Sequence, residues 1–175
     1  MKYSKFSAHV LGFNANGQCL LVKRRDIPVW VIPGGQSEPK ETPKETALRE
    51  FWEETGIRLK EKNLTLAAYY LPHNNQIAKY TFICRLKPAC KPIKTSESSA
   101  FGFFSLDNLP HPITFYEKQR VYEASGKHFG DIIIRSNAVN IIKELINLLS
   151  HPLLLLCLLF RYFYFKKIKP NKSKY

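Results

Sequence analysis

Short apolar runs separated by turn residues dominate the first part of the chain, which is the pattern of β-strands. Residues 6–13 and 19–23 are two such runs, and the turn Asn14-Ala15-Asn16-Gly17 between them predicts a hairpin. A third short run, residues 29–32, stops at Pro33-Gly34-Gly35. We therefore expect three strands before the first helix.

A helix is predicted after these strands because both of its ends carry suitable residues. Thr42 can cap the first turn, Pro43 suits the first helical position, and Glu45 completes a capping box. Gly56 can end the helix in a left-handed conformation. The face that we expect to pack on a sheet carries Leu48, Phe51 and Thr55.

The rest of the chain mixes both element types. Strands are predicted at residues 64–71, 77–86 and 101–106, and helices at 114–124 and 137–149, with a turn at 72–75 and a polar loop at 87–99. Hairpins combined with helices predict the α/β class, as an α/β sandwich with a mixed β-sheet.

The length of 175 residues suits one domain with a sizeable core, which we place at 1–149, and a tail at 150–175. The four cysteines are widely and irregularly spaced without a metal-binding pattern, so reduced thiols and a cytoplasmic protein are expected. No long apolar run follows Met1, so no signal peptide is predicted. The formal net charge of +13 suits anionic ligands, although ordinary solubility explains it equally well.

The acidic residues are concentrated in one short segment of this basic chain. Six of the 14 fall within seventeen residues, from Glu38 to Glu54. Glu50, Glu53 and Glu54 stand at i, i+3 and i+4, so they share one helix face and repel each other. A divalent cation would offset that repulsion, and Mg²⁺ prefers carboxylate oxygens together with substrate phosphates. A solvated acidic helix face is the alternative interpretation of these three residues alone.

The spacing of the whole segment resembles the signature of the Nudix hydrolase family. Gly35 is followed by five residues and Glu41, then by seven residues and Arg49-Glu50-Phe51. Trp52, Glu53-Glu54, Thr55 and Gly56-Ile57 complete the 23-residue box without a departure from the pattern. Weaker similarity extends over residues 5–149. The resemblance implies the α/β/α sandwich of that family and hydrolysis of a nucleoside diphosphate linked to another group.

The resemblance also implies a role for each residue of the box. Glu53 and Glu54 would be the main ligands of Mg²⁺, with Mn²⁺ as a substitute, and Glu50 would be a further ligand or the base. Arg49 would orient Glu53, and the Gly35 carbonyl can join the metal shell. Glu41 would brace the junction between the loop and the helix, and Gly56 would end the helix. Some family members place a catalytic or metal-binding Glu where Glu97 stands, although a plain loop acid is the alternative.

The box specifies the chemistry and leaves the substrate open. Pro72 follows Ile57 by fifteen residues, which resembles ADP-ribose pyrophosphatases, so ADP-ribose or a related nucleotide sugar is the first expectation. A (d)NTP pyrophosphohydrolase of the nucleotide-sanitising type is the alternative. Trp30 and Tyr70 can stack a base, although aromatic residues in strands mostly belong to the core.

The segment 145–175 is apolar and aromatic first and rich in lysine afterwards. Only residues 153–160 are uninterruptedly apolar, which is short for a bilayer span, and Pro152 interrupts the preceding helix. We expect this segment to lie on an anionic membrane surface, at the inner face. A true span and a helix packed on the domain or on a second subunit, as in a homodimer, are the alternatives.

Two other classes of function are left open. A non-catalytic nucleotide-binding domain would keep the fold, but it has no need of all the acids. A nucleic-acid-binding protein would explain the charge, but six of its basic residues fall in residues 161–175 and no binding signature accompanies them, so no specific nucleic-acid partner is predicted.

Overall fold

A mixed eight-stranded sheet lies at the centre of the structure. The structure is a computed structural model, and it describes residues 5–72, 77–126, 133–136 and 141–150, together with Pro152, Leu155, Leu156 and Leu159. The strands in chain order are β1 (Phe6–Phe13), β2 (Cys19–Arg24), β3 (Trp30–Val31), β4 (Gly34–Gln36), β5 (Thr65–Leu71), β6 (Ala78–Arg85), β7 (Ser98–Phe104) and β8 (Ile133–Ser136). The main path runs β3-β2-β1-β6-β5-β8, while β4 pairs with β1 and β7 with β2. Because β1–β6 and β5–β8 are parallel pairs and β1–β2 and β5–β6 are antiparallel, the predicted mixed sheet is confirmed.

Helices cover the two faces of this sheet. The first is α1 (Pro43–Thr55) and the second is α2 (Phe115–Ser125), which α3 (Ile141–Leu149) contacts. Phe51 of α1 is fully buried and packs with Ala8, Val10 and Phe82. The core on the opposite face contains Leu11, Leu21, Ile32, Ile83, Val121 and Ala124. These two cores confirm the predicted α/β/α sandwich.

The largest differences from the predicted strands are at β4, β7 and β8. β4 and β8 were not predicted. For β4 the reason is that its sequence, Gly-Gly-Gln, has little strand propensity, and only its pairing with β1 makes it extended. β7 begins at Ser98 rather than at residue 101, because the polar Ser98 pairs with Arg24 of β2.

Three predicted features lie outside the described residues. They are the turn at 73–75, the helix start at 137–140 and the basic residues of 161–175.

Among the described residues, no helix combines the length and apolar character that a membrane crossing requires. α3 ends at Leu149, which is the predicted end of this helix, and Pro152 follows three residues later. Several apolar side chains of α3 face solvent, among them Leu145, Ile146 and Leu149.

Candidate metal centre

Both ends of α1 are held as its sequence predicted. The Glu45 backbone N–H donates to Thr42 Oγ1 at 3.3 Å, and the Thr42 N–H donates to Glu45 Oε2 at 2.8 Å. Gly56 adopts a left-handed conformation with φ of 72°, and its N–H donates to the Trp52 carbonyl at 2.7 Å. With both ends fixed and one face buried, α1 holds Glu50 and Glu53 on the side that carries Arg49.

Arg49 connects three of the acids around α1. Its Nη1 donates to Glu50 Oε1 at 2.8 Å and to Glu53 Oε2 at 2.9 Å. Its Nε and Nη2 donate to the two oxygens of Glu41 at 2.7 and 3.0 Å, and Nη2 also donates to the Gln36 carbonyl at 2.9 Å. One planar guanidinium therefore sets the positions of Glu50 and Glu53 relative to the loop before α1.

Glu41 is the anchor of this arrangement. Besides Arg49, it accepts hydrogen bonds from Thr46 Oγ1 and from the Glu38 N–H, both at 2.8 Å. The Arg49 guanidinium, helped by these donors, lowers the pKa of Glu41 to about 2. Glu41 is therefore ionised near neutral pH and holds Arg49 in place.

A cluster of three carboxylates forms beside Arg49. Oxygen atoms of Glu50, Glu53 and Glu97 all lie within 4.8 Å of one another. Glu50 and Glu53 come from α1, whereas Glu97 comes from the loop before β7 and is 44 positions away from Glu53. The tertiary fold therefore adds Glu97 to the two acids that helical spacing already places side by side, Glu50 and Glu53.

Polar contacts fix the loop that carries Glu97 to the end of α1 and to Arg25, which follows β2. Ser98 Oγ donates to the Glu54 carbonyl at 3.0 Å. Arg25 Nη2 donates to the carbonyls of Thr95 and Ser98 at 3.1 and 3.3 Å. These contacts hold Glu97 at the cluster, and the sequence contained no periodic signal that identified Arg25 or Ser98.

Glu54 lies beside the cluster and is turned toward the glycine loop. Its Oε2 accepts a hydrogen bond from the Gly34 N–H at 2.9 Å. Burial raises the pKa of Glu54 to about 8, and the nearby charges of Glu50 and Glu97 act in the same direction. Burial also raises the pKa of Glu50, which Arg49 opposes. The role of Glu54 as a metal ligand stays a prediction.

The two glycines of β4 leave room that a side chain would fill. A Cβ atom on Gly35 would lie 2.4 Å from Glu50 Oε2. Gly34 has φ of +148°, and a Cβ atom there would lie 2.4 Å from the Ala8 carbonyl oxygen. The bare Gly35 backbone and three converging carboxylates are hard oxygen donors, so this donor set fits a divalent cation such as Mg²⁺.

The residues predicted to contact substrate are spread around the sheet. Trp30 packs edge-on against Phe104, with ring centroids 4.9 Å apart. Tyr70 is buried, and its hydroxyl donates to Glu123 Oε2 at 2.8 Å. Pro72 follows β5 directly before residues 73–76, which are not described. Their roles in substrate binding stay predictions.

Replacing Gly35 by Ala is expected to lower turnover about tenfold or more, because the new methyl group displaces the Glu50 carboxylate by about 1 Å. Steady-state kinetics in Mg²⁺ measures the change. Gly126→Ala is the matched control, because its φ is −53° and its nearest contact would be 3.3 Å away. Equal kinetics in both variants would remove the argument that Gly35 makes room for Glu50.

Comparisons with known proteins relate this geometry to other sequences. The family model described as NUDIX domain matches residues 4–124. A protein of Bacillus subtilis (strain 168), named as a candidate 8-oxo-dGTP diphosphatase, is 51% identical over 49 residues, which are 28% of this chain and 33% of that protein. An RNA pyrophosphohydrolase of a Nitratiruptor species is 31% identical over 127 residues, covering 62% of this chain and 79% of that protein.

Solved structures share the fold. An ADP-ribose pyrophosphatase from Streptococcus suis 89-1591 superposes with a TM-score of 0.61 at 24% identity, covering 75% of this chain and 99% of that chain. The chain spans 33% and 59% of the lengths of two curated relatives that it matches, from Bacillus subtilis and Streptomyces ambofaciens. At these identities the structural likeness supports the fold and leaves the substrate open.

Proposed function

Because the chain belongs to the Nudix hydrolase family, whose domain matches residues 4–124, we propose that it is a metal-dependent hydrolase of a pyrophosphate bond. The substrate we propose is a nucleoside diphosphate linked to another group. Family members generally need divalent metal ions, and we propose Mg²⁺ as the ion, with Mn²⁺ as a substitute.

The convergence of Glu50, Glu53 and Glu97 carries this proposal. Three carboxylates with oxygens within 4.8 Å repel each other, and Arg49 donates hydrogen bonds to the first two. A catalytic cation site explains why the fold brings a third acid to them from a distant loop. A non-catalytic domain would need only the fold and not this convergence.

The acids beside Arg49 have two tasks in the proposed reaction, cation binding and proton transfer. Glu53 and Glu50 bind the cation in positions set by Arg49, and Glu54, which accepts a hydrogen bond from the Gly34 N–H, is a further ligand. Glu50 or Glu97 accepts the proton of the attacking water, because both offer a carboxylate oxygen to the same small volume. The bound cation would neutralise phosphate charge and lower the pKa of water.

Two groups of substrates are compatible with this chemistry. ADP-ribose and nucleotide sugars are favoured by the position of Pro72 after the box. (d)NTPs, including oxidised ones, are favoured by the name of the Bacillus subtilis relative. We place ADP-ribose first and test both groups together.

A panel of nucleotides tests the proposal. The purified full-length chain is incubated with ADP-ribose, UDP-sugars, canonical dNTPs and 8-oxo-dGTP, with Mg²⁺, with Mn²⁺ or with a chelator. Chromatography identifies the products. We expect cation-dependent release of a nucleoside monophosphate from one group. Tight binding without turnover of any member would favour the non-catalytic alternative instead.

We further propose that residues 145–175 associate with an anionic membrane surface. The support is that apolar side chains of α3 and beyond face solvent, with Leu149 72% and Leu156 61% exposed. Leu145, Ile146 and Leu159 are exposed as well. No acid follows Glu144, and residues 161–175 contain six basic residues. Exposed apolar side chains, followed in the sequence by a segment with basic residues and no acid, complement anionic lipid headgroups.

Replacing Leu149 by Asp is expected to lower binding to phosphatidylserine-containing vesicles about tenfold or more, because one apolar contact is lost and a negative charge is added. Co-sedimentation of the full chain measures it. Ile134→Asp is the matched control, since Ile134 is 63% exposed on β8. If the wild-type chain does not bind the vesicles, and Leu149→Asp lowers its oligomeric mass, the homodimer alternative is favoured and membrane association is contradicted.

A further inference from the structure

Glu97 is held in the carboxylate cluster in a different way from Glu50 and Glu53. Those two acids lie on α1 and accept hydrogen bonds from Arg49 Nη1 at 2.8 and 2.9 Å. Glu97 lies on a loop, and its carboxylate forms no ion pair with any described residue. Its negative charge is repelled by both other acids, whose oxygens lie within 4.8 Å. The backbone of the loop must therefore hold Glu97 against this repulsion.

Arg25 bridges the two residues on either side of Ser96 and Glu97. Its Nη2 donates to the Thr95 carbonyl at 3.1 Å and to the Ser98 carbonyl at 3.3 Å. Hydrogen bonds from a charged donor are stronger than those between neutral groups. A single nitrogen atom therefore fixes the separation of the two ends of the segment 95–98.

Hydroxyl groups support the same segment from within. The Glu97 N–H donates to Thr95 Oγ1 at 3.3 Å. Ser98 Oγ donates to the Glu54 carbonyl at 3.0 Å, at the end of α1. The backbone on both sides of Glu97 is thus fastened, although its side chain has no charged partner.

An irregular pairing of β2 with β7 fixes the end of this segment. The register shifts between Lys23 and Arg24, and Ser99 is the additional residue on β7. Ser99 Oγ donates to the Lys23 carbonyl at 3.0 Å, which fastens this bulge to β2. Bulges bend a strand and occur often beside active sites. Because Arg25 directly follows β2, one strand end carries both supports of the loop.

We propose that Arg25 is a positioning residue of the metal site, which acts on the cation through the backbone of residues 95–98 and through Glu97. The inference rests on the metal-dependent hydrolase function proposed above, and it adds to that site an arginine outside the 23-residue box. Without the contacts of Arg25, repulsion from Glu50 and Glu53 would move Glu97 away. The cation would then lose one of the carboxylates that surround it.

The contacts of Arg25 differ from those of Arg49 in one testable respect. Arg49 uses three nitrogen atoms in a fork, whereas both contacts of Arg25 come from Nη2 alone. A lysine ammonium group carries three donors on one nitrogen. We therefore expect Arg25→Lys to keep both contacts and Arg25→Gln to lose them.

Binding of Mn²⁺ to the full chain without substrate tests the proposal independently of turnover. Electron paramagnetic resonance measures the free ion, and thermal unfolding shows that the variants fold. We expect Arg25→Gln to weaken Mn²⁺ binding about tenfold and Arg25→Lys to restore most of it. With the best substrate of the panel, kcat should fall by a similar factor, and KM should change less, because Arg25 is proposed to act through Glu97.

The variant Glu97→Gln assigns the effect to this carboxylate. Because Arg25 is proposed to act through it, Arg25→Gln should change Mn²⁺ binding little in a chain that already carries Glu97→Gln. Arg85→Gln is the matched control. Arg85 is an exposed arginine at the end of β6 that forms no ion pair with any described residue. Its replacement removes the same charge and should leave Mn²⁺ binding unchanged.

The outcomes separate this inference from the proposed function. An equal loss from Arg25→Gln with and without Glu97→Gln overturns the inference, and so does wild-type Mn²⁺ binding in Arg25→Gln. Both results leave the hydrolase proposal intact. The expected pattern of Mn²⁺ binding without turnover of any nucleotide in the panel supports the inference and counts against the hydrolase function alone.

Discussion

Replacing Glu53 by Gln is expected to lower kcat by about two to three orders of magnitude while the fold is kept. The amide is nearly isosteric and can still accept the hydrogen bond of Arg49 Nη1, which is 2.9 Å long. It removes the negative charge that Glu53 supplies to the three-carboxylate cluster. Steady-state kinetics on the best substrate of the panel, with circular dichroism, measures the effect.

The Glu53 experiment has a matched control and a second readout. Glu61→Gln changes an exposed acid that pairs with Lys44 at 3.4 Å on the surface, and it should leave turnover unchanged. A titration with Mn²⁺ should show weaker binding in Glu53→Gln than in the control. Wild-type kcat in Glu53→Gln would exclude the proposed mechanism.

Replacing Arg49 by Lys should cost both activity and stability. Lysine cannot reproduce the fork that contacts Glu41 at two points and bridges Glu50 to Glu53. We expect a free energy of unfolding lower by about 2 kcal/mol, because charged acceptors lose their donors. We also expect kcat to fall about 100-fold, because Glu50 and Glu53 are no longer held in position.

Urea unfolding and kinetics well below the unfolding temperature separate the two effects of Arg49→Lys. Arg58→Lys is the control, since Arg58 is exposed and lies 4.5 Å from the Trp52 ring centroid. A variant that loses stability but keeps the kcat and Mn²⁺ affinity of the wild type would show that Arg49 only braces the fold.

Helical spacing explains why so much of the site could be predicted. Glu50, Glu53 and Arg49 lie within five residues of one helix, and their relative positions follow from 3.6 residues per turn. The caps at Thr42 and Gly56 are local hydrogen bonds of the same kind. Local geometry of this sort depends little on the rest of the chain.

Long-range pairing explains what the sequence did not reveal. The contacts that Arg25 and Ser98 make around the loop of Glu97 join residues 44 to 73 positions apart, and none of them has a sequence signal. The strand β4 exists only because β1 pairs with it. Glu54 accepts its hydrogen bond from an N–H that lies 20 positions before it in the chain.

By itself, the sequence determined α1, its ends, the order of its acids and the family of the chain, because these depend on neighbours within a few turns and on fixed spacing. Only the tertiary structure decided that Glu97 meets Glu50 and Glu53, and that Glu54 accepts from the Gly34 N–H. Such contacts join segments whose distance is set by strand register and loop path. Neither quantity can be read from local periodicity.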